Sequence, residues 1–485
     1  MSPSDAYAAE FESFVAAHPT YRDTEAIDAL RERDFTRLDA AGQVYLDFTG
    51  GGLYGESQIR EHLDLLSSRV FGNPHSANPT SLAATDQVEA ARDAVLAYFN
   101  ADPAEYDVVF TANASGALKL VGEAYPFAPE ARFLVSYDNH NSVNGIREFA
   151  ARAGASVVYV PVTTPDLRLD ADLVERGLAD LRPGARGLFA YPAQSNFSGV
   201  QHPLEWVARA QELGWDVLLD SAAFAPTNRL DLAAVRPDFV PLSFYKMFGY
   251  PTGVGALLAR RSALEKLTRP WFAGGTITLA SVGAGVHRLA SGHTGFEDGT
   301  VDYLGLPAVR IGLERLKTVG IDTVHTRVES LGAWLLGQMG ALKHSNGAPM
   351  VRVFGPKTMD RRGATFAFYL LDPAGAVYDV YAVERLAGAQ GISVRTGCFC
   401  NPGDGEVAHA ITAEEMTGCF TAPDVPITLQ DCQRLIEDAT GKVPNTIRAS
   451  LGWVSNFADV CAFRDFLASF RDAEAGSVAT YSPVE

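Results

Sequence analysis

The chain has 485 residues, of which 47% are hydrophobic and 20% are charged, a balance typical of a globular protein with a full core. Its length exceeds one ordinary domain and favours one large and one small domain. The formal net charge of −18 at pH 7 argues against nucleic acid or an anionic membrane as the main partner, because both repel an acidic surface.

The N-terminal stretch MSPSDAYAAEFESF is acidic and polar, and it lacks the basic start and apolar run of a signal peptide. No segment reaches the roughly 18 consecutive apolar residues that a membrane span needs. Five cysteines in so long a chain do not indicate a disulfide framework. We therefore expect a protein of the reducing cytoplasm without membrane attachment.

After a first helix predicted over residues 4–18, short apolar strands alternate with helical stretches over most of the chain. The predicted strands lie at 108–110, 132–137, 156–162, 186–191, 216–220, 238–244 and 254–259. Helical patterns occur between them, at 85–99, 142–153 and 204–213. This alternation predicts an α/β fold with a mostly parallel, seven-stranded sheet covered by helices.

The pattern changes after about residue 325, where apolar residues recur at helical spacing from Val328 to Leu342. Further predicted elements are strands at 351–354, 364–371 and 392–395, with a helix before the last strand and two helices flanking 444–451. The chain is thereby divided into an N-terminal helical segment (1–40), a large domain (41–325) and a smaller α+β domain (326–485).

Lys246 differs from the other six lysines of the chain in its surroundings. It follows an apolar strand within LSFYKMFGYPTGVGALLA, a run with almost no charge. Burial there would lower the pKa of the amine and make it a nucleophile suited to imine formation. The alternative is a surface lysine at the start of a loop, and the residues alone leave both possibilities open.

Other polar residues lie where ligands of open α/β sheets bind, at strand ends. Asp220 closes the strand DVLLD and could pair with a protonated pyridine nitrogen, or cap the next helix instead. The loop TANASGA (111–117), with Ser115, could cradle a phosphate at a helix N-terminus. His140 could stack on a flat ring or be an exposed loop histidine. No dinucleotide fingerprint or nucleotide P-loop occurs, which disfavours NAD and ATP.

The loop RTGCFCNPGDG at 395–405 carries two cysteines. A cysteine in a glycine-rich loop is accessible, and a neighbouring arginine favours its thiolate form. The alternative is a zinc site built from Cys398, Cys400, Cys419 and Cys432. The spacings do not fit a zinc ribbon, and Cys432 falls within a helical stretch, so we expect no metal.

Several longer motifs resemble a known family over residues 40–465. They are SFYKMFGYPTGVGALL, FGNPHSANPTSL, YPAQSNFSG, LLDSAAFAPTNRLDL, FEDGTVDYL and VRTGCFCNPG. The sequence resembles the N-terminal domain of molybdenum cofactor sulfurases, which are similar to class V aminotransferases and cysteine desulfurases. The resemblance implies a pyridoxal 5'-phosphate (PLP) enzyme of fold type I.

The resemblance also implies a role for each matching residue. Lys246 would hold PLP as a Schiff base, Asp220 would bind the pyridine nitrogen, and His140 would stack on the ring and relay protons. The other cofactor contacts would be Asn196 near the 3-hydroxyl group and, around the phosphate, Ala114, Ser115, Ser243 and Tyr245, with Thr276 supplied by the second subunit of a homodimer. The active site would then lie at the subunit interface.

For the substrate, the resemblance implies that Arg448 in NTIRASLGW pairs with the carboxylate, where a planar guanidinium binds bidentately. Arg395 would lie at the mouth of the same site. Cys400 occupies the persulfide position, so the expected reaction takes sulfur from L-cysteine as a persulfide on Cys400, releases alanine and passes the sulfur to an acceptor.

The sequence departs from the family at three places. Ala223 stands where cysteine desulfurases commonly have glutamine, and NPGDGEVA lacks a further cysteine. The sequence ends at residue 485 without the molybdenum-cofactor domain of eukaryotic sulfurases, so we expect a separate acceptor protein or small molecule. The alternative functions are another PLP reaction, such as that of a C–S lyase, an aminotransferase or a decarboxylating enzyme, and a non-catalytic PLP protein.

Overall fold

The computed structural model of the chain describes residues 7–421 and 428–477. The strands are β1 (Val44–Tyr45), β2 (Tyr106–Thr111), β3 (Arg132–Ser136), β4 (Ser156–Val160), β5 (Val162–Thr163), β6 (Arg168–Leu169), β7 (Gly187–Pro192), β8 (Trp215–Asp220), β9 (Phe239–Ser243), β10 (Gly255–Arg260), β11 (Ile277–Ser281), β12 (Val286–Leu289), β13 (Val351–Val353), β14 (Thr365–Leu370), β15 (Ile392–Ser393), β16 (Arg395–Gly397) and β17 (Thr446–Ser450).

The helices are α1 (Ala8–Ala17), α2 (Ala26–Asp34), α3 (Thr36–Ala40), α4 (Glu56–Ser68), α5 (Pro79–Tyr98), α6 (Ala114–Ala124), α7 (Asn141–Asn144), α8 (Ile146–Arg152), α9 (Ala171–Ala179), α10 (Trp206–Glu212), α11 (Phe244–Phe248), α12 (Arg261–Leu264), α13 (Leu306–Val319), α14 (Ile321–Ala341), α15 (Val380–Ala389), α16 (Pro402–Ala408), α17 (Ala413–Thr421), α18 (Leu429–Thr440) and α19 (Phe457–Ala468). Three 3-10 helices lie at Pro19–Thr24, Gly292–Gly295 and Ala475–Ser477. Within the described ranges, no helix is long and apolar enough to cross a membrane.

A seven-stranded sheet forms the centre of the fold, in the order β2-β10-β9-β8-β7-β3-β4. Strand β10 runs antiparallel to β2 and β9, and the other neighbouring pairs are parallel. All seven predicted strands are present, so the predicted α/β class with a mostly parallel sheet is confirmed. Strands β7 and β8 are buried along their whole length, which explains why their sequences are mainly apolar.

The hydrophobic core lies on both faces of this sheet. Successive side chains of a strand point to opposite faces, so Val217 and Leu219 of β8 pack into one apolar cluster and Leu218 packs into the other. This arrangement leaves polar residues mainly at the strand ends, where β8 finishes at Asp220.

A second, antiparallel sheet has the strand order β13-β14-β17-β16. Strands near 351–354, 364–371 and 392–395 were predicted, but β17 was not. Its sequence, TIRAS, carries Arg448 at its centre, and that arginine is buried. A charged residue at a buried strand position removes the apolar signal on which strand prediction depends.

The N-terminal helices pack on helices from the other end of the chain. Phe14 of α1 stacks on Phe457 of α19 with ring centroids 4.6 Å apart, and Arg31 of α2 pairs with the buried Asp459. The first helix is shorter than predicted, and residues 4–6 lie outside the described residues. Residue 325 falls inside α14, and the division into three segments stays a prediction.

Cys419 of α17 and Cys432 of α18 are joined by a disulfide bond. This bond was not predicted: the five cysteines of the sequence did not indicate a disulfide framework, and a zinc site that included these two residues was considered and disfavoured. The remaining cysteines of the described chain, Cys398, Cys400 and Cys461, are free. Across residues 7–421 and 428–477, no group of three or more histidine, cysteine, aspartate or glutamate side chains is suited to hold a metal ion.

Candidate active site

A cavity of about 210 Å³ opens at the carboxyl ends of the parallel strands. Ligands of open α/β sheets bind at this edge because the strand-to-helix loops converge there. The cavity brings together eight of the residues predicted for the site: Ala114, Ser115, His140, Asn196, Asp220, Ser243, Tyr245 and Lys246.

Lys246 lies in α11, the short helix that follows β9 directly. The helix ends after five residues at Gly249, whose φ of 80° is a left-handed conformation that glycine adopts without cost. Burial lowers the pKa of the Lys246 amine, and the Asp220 carboxylate partly opposes that effect. A lowered pKa leaves more of the amine uncharged and able to act as a nucleophile.

Asp220 at the end of β8 and His140 in the loop after β3 line the same cavity as Lys246. Oδ1 of Asp220 accepts a hydrogen bond from the Ala222 amide at 3.0 Å, which leaves Oδ2 for a ligand in the cavity. Nδ1 of His140 accepts from the Ser142 amide at 3.1 Å. Burial lowers the pKa of His140, while Asp220 raises it to a smaller extent. The neutral ring therefore carries its proton on Nε2.

The N-terminus of α6 also lines the cavity. Asn113 caps this helix by accepting from the Gly116 amide at 2.9 Å, and the Ala114 amide donates to Ser243 Oγ at 2.9 Å. Ser115 Oγ lies 2.6 Å from Ser142 Oγ. Amide groups, hydroxyl groups and the helix dipole together favour an anion at this point.

These groups fit PLP in their chemistry. A buried lysine suits its aldehyde, a carboxylate suits its ring nitrogen, and the α6 N-terminus suits its phosphate. The cavity is also a concave site with a few polar groups of defined position, as small-molecule sites generally are.

Cys400 lies in the loop of residues 398–401, here called the Cys400 loop. Phe399 and Cys400 have φ values of 56° and 55°, a left-handed geometry that costs roughly 1–2 kcal/mol per non-glycine residue. Cys400 is exposed, and it lies near enough to Lys246 to influence that residue's pKa. Cys398 is partly buried, and this burial raises the pKa of its thiol. Cys400 is therefore the more accessible of the two thiols for nucleophilic chemistry.

Arg448 and Arg395 share one carboxylate. Nη2 of Arg448 lies 2.8 Å from Oδ1 of Asp47, and Nη2 of Arg395 lies 2.7 Å from Oδ2 of the same residue. Nη1 of Arg448 donates to Asn196 O at 2.9 Å, while its buried Nε has no partner within the described residues. Burial lowers the pKa of Arg448 against the opposing effect of Asp47.

Asn196 and Thr276, both predicted to contact the cofactor, make their hydrogen bonds to other parts of the protein in this structure. The Asn196 amide is engaged by the Cys400 loop, since Nδ2 donates to Phe399 O at 2.7 Å and Oδ1 accepts from Asn401 at 3.1 Å. Thr276 lies outside this cavity, and its buried hydroxyl donates to Ala273 O at 2.8 Å. A contact from Thr276 to a second subunit's cofactor stays a prediction.

Sequence reasoning missed three side chains at the site. Gln194 lines the cavity and donates to the Ala223 carbonyl at 3.1 Å, beside the position where a family glutamine is absent. Ser142 bonds Ser115, and Asp47 pairs with both arginines. Gln194 follows β7 and Ser142 follows β3, and this position after a strand could have indicated that they lie at the site. Asp47 comes from the far end of the chain and had none.

The sequence matches one protein family and the curated members of a related group of enzymes. The family of class-V aminotransferases matches residues 44–463. Molybdenum cofactor sulfurase from Arabidopsis thaliana is 36% identical over 481 residues, which cover 91% of this chain and 58% of that protein. The Homo sapiens molybdenum cofactor sulfurase is 36% identical over 465 residues, with 91% and 51% covered. The chain thus spans little more than half the length of these curated relatives.

Solved structures resemble the chain over nearly all of its length. The cysteine desulfurase from Thermococcus onnurineus NA1 has a TM-score of 0.74 at 21% identity, covering 91% of this chain and 97% of that one. The cysteine desulfurase CsdA from Escherichia coli has a TM-score of 0.69 at 22% identity, covering 91% and 98%. At these identities the likeness shows the fold, and it confirms the predicted fold type I.

Proposed function

This chain belongs to the class-V aminotransferase family, and on that premise we propose that it is a PLP-dependent cysteine desulfurase that collects sulfur as a persulfide on Cys400. The observation that carries the proposal is the relation between Cys400 and Lys246. The loop that carries this exposed thiol accepts a hydrogen bond from Asn196, and Asn196 lines the same cavity as the buried Lys246. A lyase that releases sulfide directly would not need a thiol of its own at that point.

The proposed cofactor set is Lys246, Asp220, His140, Asn196, Ala114, Ser115, Ser243 and Tyr245 from one subunit and Thr276 from the other. When bound, PLP supplies an electron sink for the pair released at the substrate α-carbon. Lys246 would attach the cofactor and, once free, would accept or return the α-proton through its uncharged amine. Asp220 would bind the ring nitrogen and favour its protonated form, and Nε2–H of His140 would be available as a proton donor.

The substrate is oriented by charge. Arg448 is proposed to hold the carboxylate of L-cysteine, with its unpartnered Nε–H as one donor. Arg395 lies beside it and is half exposed, so it attracts an incoming carboxylate at the mouth. Holding the carboxylate fixes the direction of the substrate sulfur relative to Cys400.

The sulfur transfer balances without an outside oxidant. The Cys400 thiolate attacks the substrate sulfur, an S–S bond forms and the substrate C–S bond breaks. The substrate β-carbon receives the electron pair and a proton, so cysteine plus thiol becomes alanine plus enzyme persulfide. A separate protein or small molecule is proposed to accept the sulfur from Cys400.

We propose a homodimer for the assembly. The hairpin formed by β11 and β12 exposes Leu279, Val282 and Val286 to solvent, and Thr276 directly precedes it. Exposed apolar clusters of this kind are commonly covered by another chain. Val282→Asp is expected to shift the protein to monomer in analytical ultracentrifugation, and an unchanged dimer would remove the hairpin from the interface. A cytoplasmic location is also proposed, because Cys400 must remain a thiol to act, although the Cys419–Cys432 disulfide bond is more typical of an oxidising compartment.

The test measures alanine and sulfide from purified protein supplied with PLP, L-cysteine and a thiol reductant. Wild-type protein is expected to form both, Cys400→Ser to lose both, and the matched control Cys398→Ser to retain both. Equal alanine from wild type and Cys400→Ser would contradict persulfide chemistry. Absence of alanine from wild type would favour another PLP reaction, that of a C–S lyase, an aminotransferase or a decarboxylating enzyme.

A further inference from the structure

The Cys400 loop has a backbone that contacts from elsewhere must hold. Left-handed geometry at two consecutive non-glycine residues, Phe399 and Cys400, persists only when the surrounding structure determines it. Both carbonyl groups are fixed from outside the loop. Asn196 donates to Phe399 O, and the Asn141 amide donates to Cys400 O at 2.7 Å.

Asp404 lies three residues beyond the loop, in the first turn of α16, and its side chain is fully buried. Its Oδ2 accepts a hydrogen bond from Ser195 Oγ at 2.5 Å and a longer one from Ser198 Oγ at 3.3 Å. Both serines belong to the segment 194–199 after β7, which also carries Asn196. Asp404 therefore connects the Cys400 loop to the segment that lines the cavity.

Asn401 adds a second connection from the same turn. It caps α16, because its Oδ1 accepts from the Asp404 amide at 3.2 Å. Its Nδ2 donates to Asp138 O at 2.8 Å and to Asn196 Oδ1 at 3.1 Å. The cap and the buried carboxyl group are thus parts of one network, and loss of Asp404 would loosen both.

The charge state of Asp404 follows from its surroundings. The titratable groups near it are Asp138 and, beyond Asp138, His202, whose Nε2 lies 2.6 Å from Asp138 Oδ2. Within the described residues no cation pairs with Asp404, and its Oδ1 is buried without a partner. Burial raises the pKa of Asp404 well above its ordinary value, and the Asp138 carboxylate raises it further. An unpaired buried charge is costly, so the protonated form is favoured.

We propose that Asp404 is a positioning residue: an uncharged carboxylic acid that locks the Cys400 loop against the segment 194–199 and thereby fixes the position of the Cys400 thiol. Its effect on turnover rests on the proposed function, whereas its effect on the loop does not. Asparagine has the shape of the uncharged acid and cannot ionise, so Asp404→Asn should preserve the lock. Asp404→Ala removes it.

Two readouts test this proposal: the rate at which iodoacetamide alkylates Cys400, followed by peptide mass spectrometry, and kcat and KM for alanine formation. Asp404→Asn is expected to match wild type in both. Asp404→Ala is expected to change the alkylation rate several-fold and to lower kcat by on the order of tenfold to a hundredfold at similar KM. The control Glu414→Ala removes an exposed carboxylate nearby and should change neither.

If kcat falls as far in Asp404→Asn as in Asp404→Ala, the uncharged role is overturned, because the loop would then require an ionised carboxylate. Wild-type alkylation and kcat in Asp404→Ala would overturn the lock itself. If Asp404→Ala does not fold, Ser195→Ala removes the same hydrogen bond from the other side, and the same two outcomes decide. If wild type forms no alanine, the proposed function fails while the alkylation comparison still decides the lock.

Discussion

Arg448 is held by Asp47, with Nη2 and Oδ1 separated by 2.8 Å, so the guanidinium proposed for the substrate carboxylate already has a carboxylate partner. Arg395 binds the same aspartate and supplies a second positive charge. The three groups together carry one net positive charge. One substrate carboxylate neutralises it, which suits an amino acid with a single carboxylate such as cysteine.

The first prediction concerns the shape of this arginine. Arg448→Lys keeps the charge that Asp47 requires but loses the planar fork. We expect KM for L-cysteine to rise about tenfold or more, since a charge-assisted hydrogen bond contributes about 1.5–3 kcal/mol, with a smaller change in kcat. Steady-state kinetics of alanine formation provide the measurement.

Arg395→Lys is the matched comparison, because Arg395 is half exposed and its ion-pair partner among the described residues is Asp47. Its KM should change less. Equal KM values for wild type and Arg448→Lys would show that the substrate carboxylate binds elsewhere.

Much of this site could be predicted because its residues lie in the strand-end loops of one sheet. Lys246 after β9 and Asp220 at the end of β8 are each marked by an apolar run that stops at a polar residue. Position in the sequence and position in the fold are then closely related, since parallel strands deliver their carboxyl ends to the same edge.

The parts that were missed depend on contacts between distant segments. Asp47 reaches Arg448 across 401 residues, and Asp404 reaches Ser195 across 209. Nothing local marks either pair, and Asp404 drew notice only as a departure from the resembled motif. Strand β17 was missed for a related reason, because its buried arginine is stabilised by partners that only the folded chain brings to it.

The second prediction identifies the covalent anchor. With PLP present, borohydride reduction of wild-type protein should add the cofactor's mass to the peptide that contains Lys246, because its buried amine is the nucleophile. Lys246→Ala should take up no covalent cofactor after reduction and dialysis. Lys119→Ala, which removes a lysine whose side chain is 67% exposed, should label as wild type does. Label found on another lysine in the wild type would remove the central assignment.

The third prediction concerns acid stability and His409, which follows α16. The Val443 carbonyl can only accept, so the Tyr369 hydroxyl donates to it and Nδ1–H of His409 donates to Tyr369. Nε2 of His409 then carries a buried lone pair without a partner in the described chain. Burial, with a smaller contribution from Arg352, lowers the pKa of His409 to about 3. The folded protein therefore requires the neutral ring.

In the unfolded chain the pKa of histidine is about 6.5. Between that value and about 3, the unfolded state binds the proton and the folded state does not, so stability is complete above the upper value and is lost as pH falls. The loss between pH 7 and pH 5 amounts to roughly 2 kcal/mol. The free energy of unfolding, measured with urea at pH 7 and at pH 5, should fall by about 2 kcal/mol more in wild type than in His409→Phe. His325→Gln, whose histidine side chain is 47% exposed, should follow wild type. If the free energy of unfolding changes with pH in the same way in wild type and His409→Phe, His409 does not control the acid sensitivity of the fold.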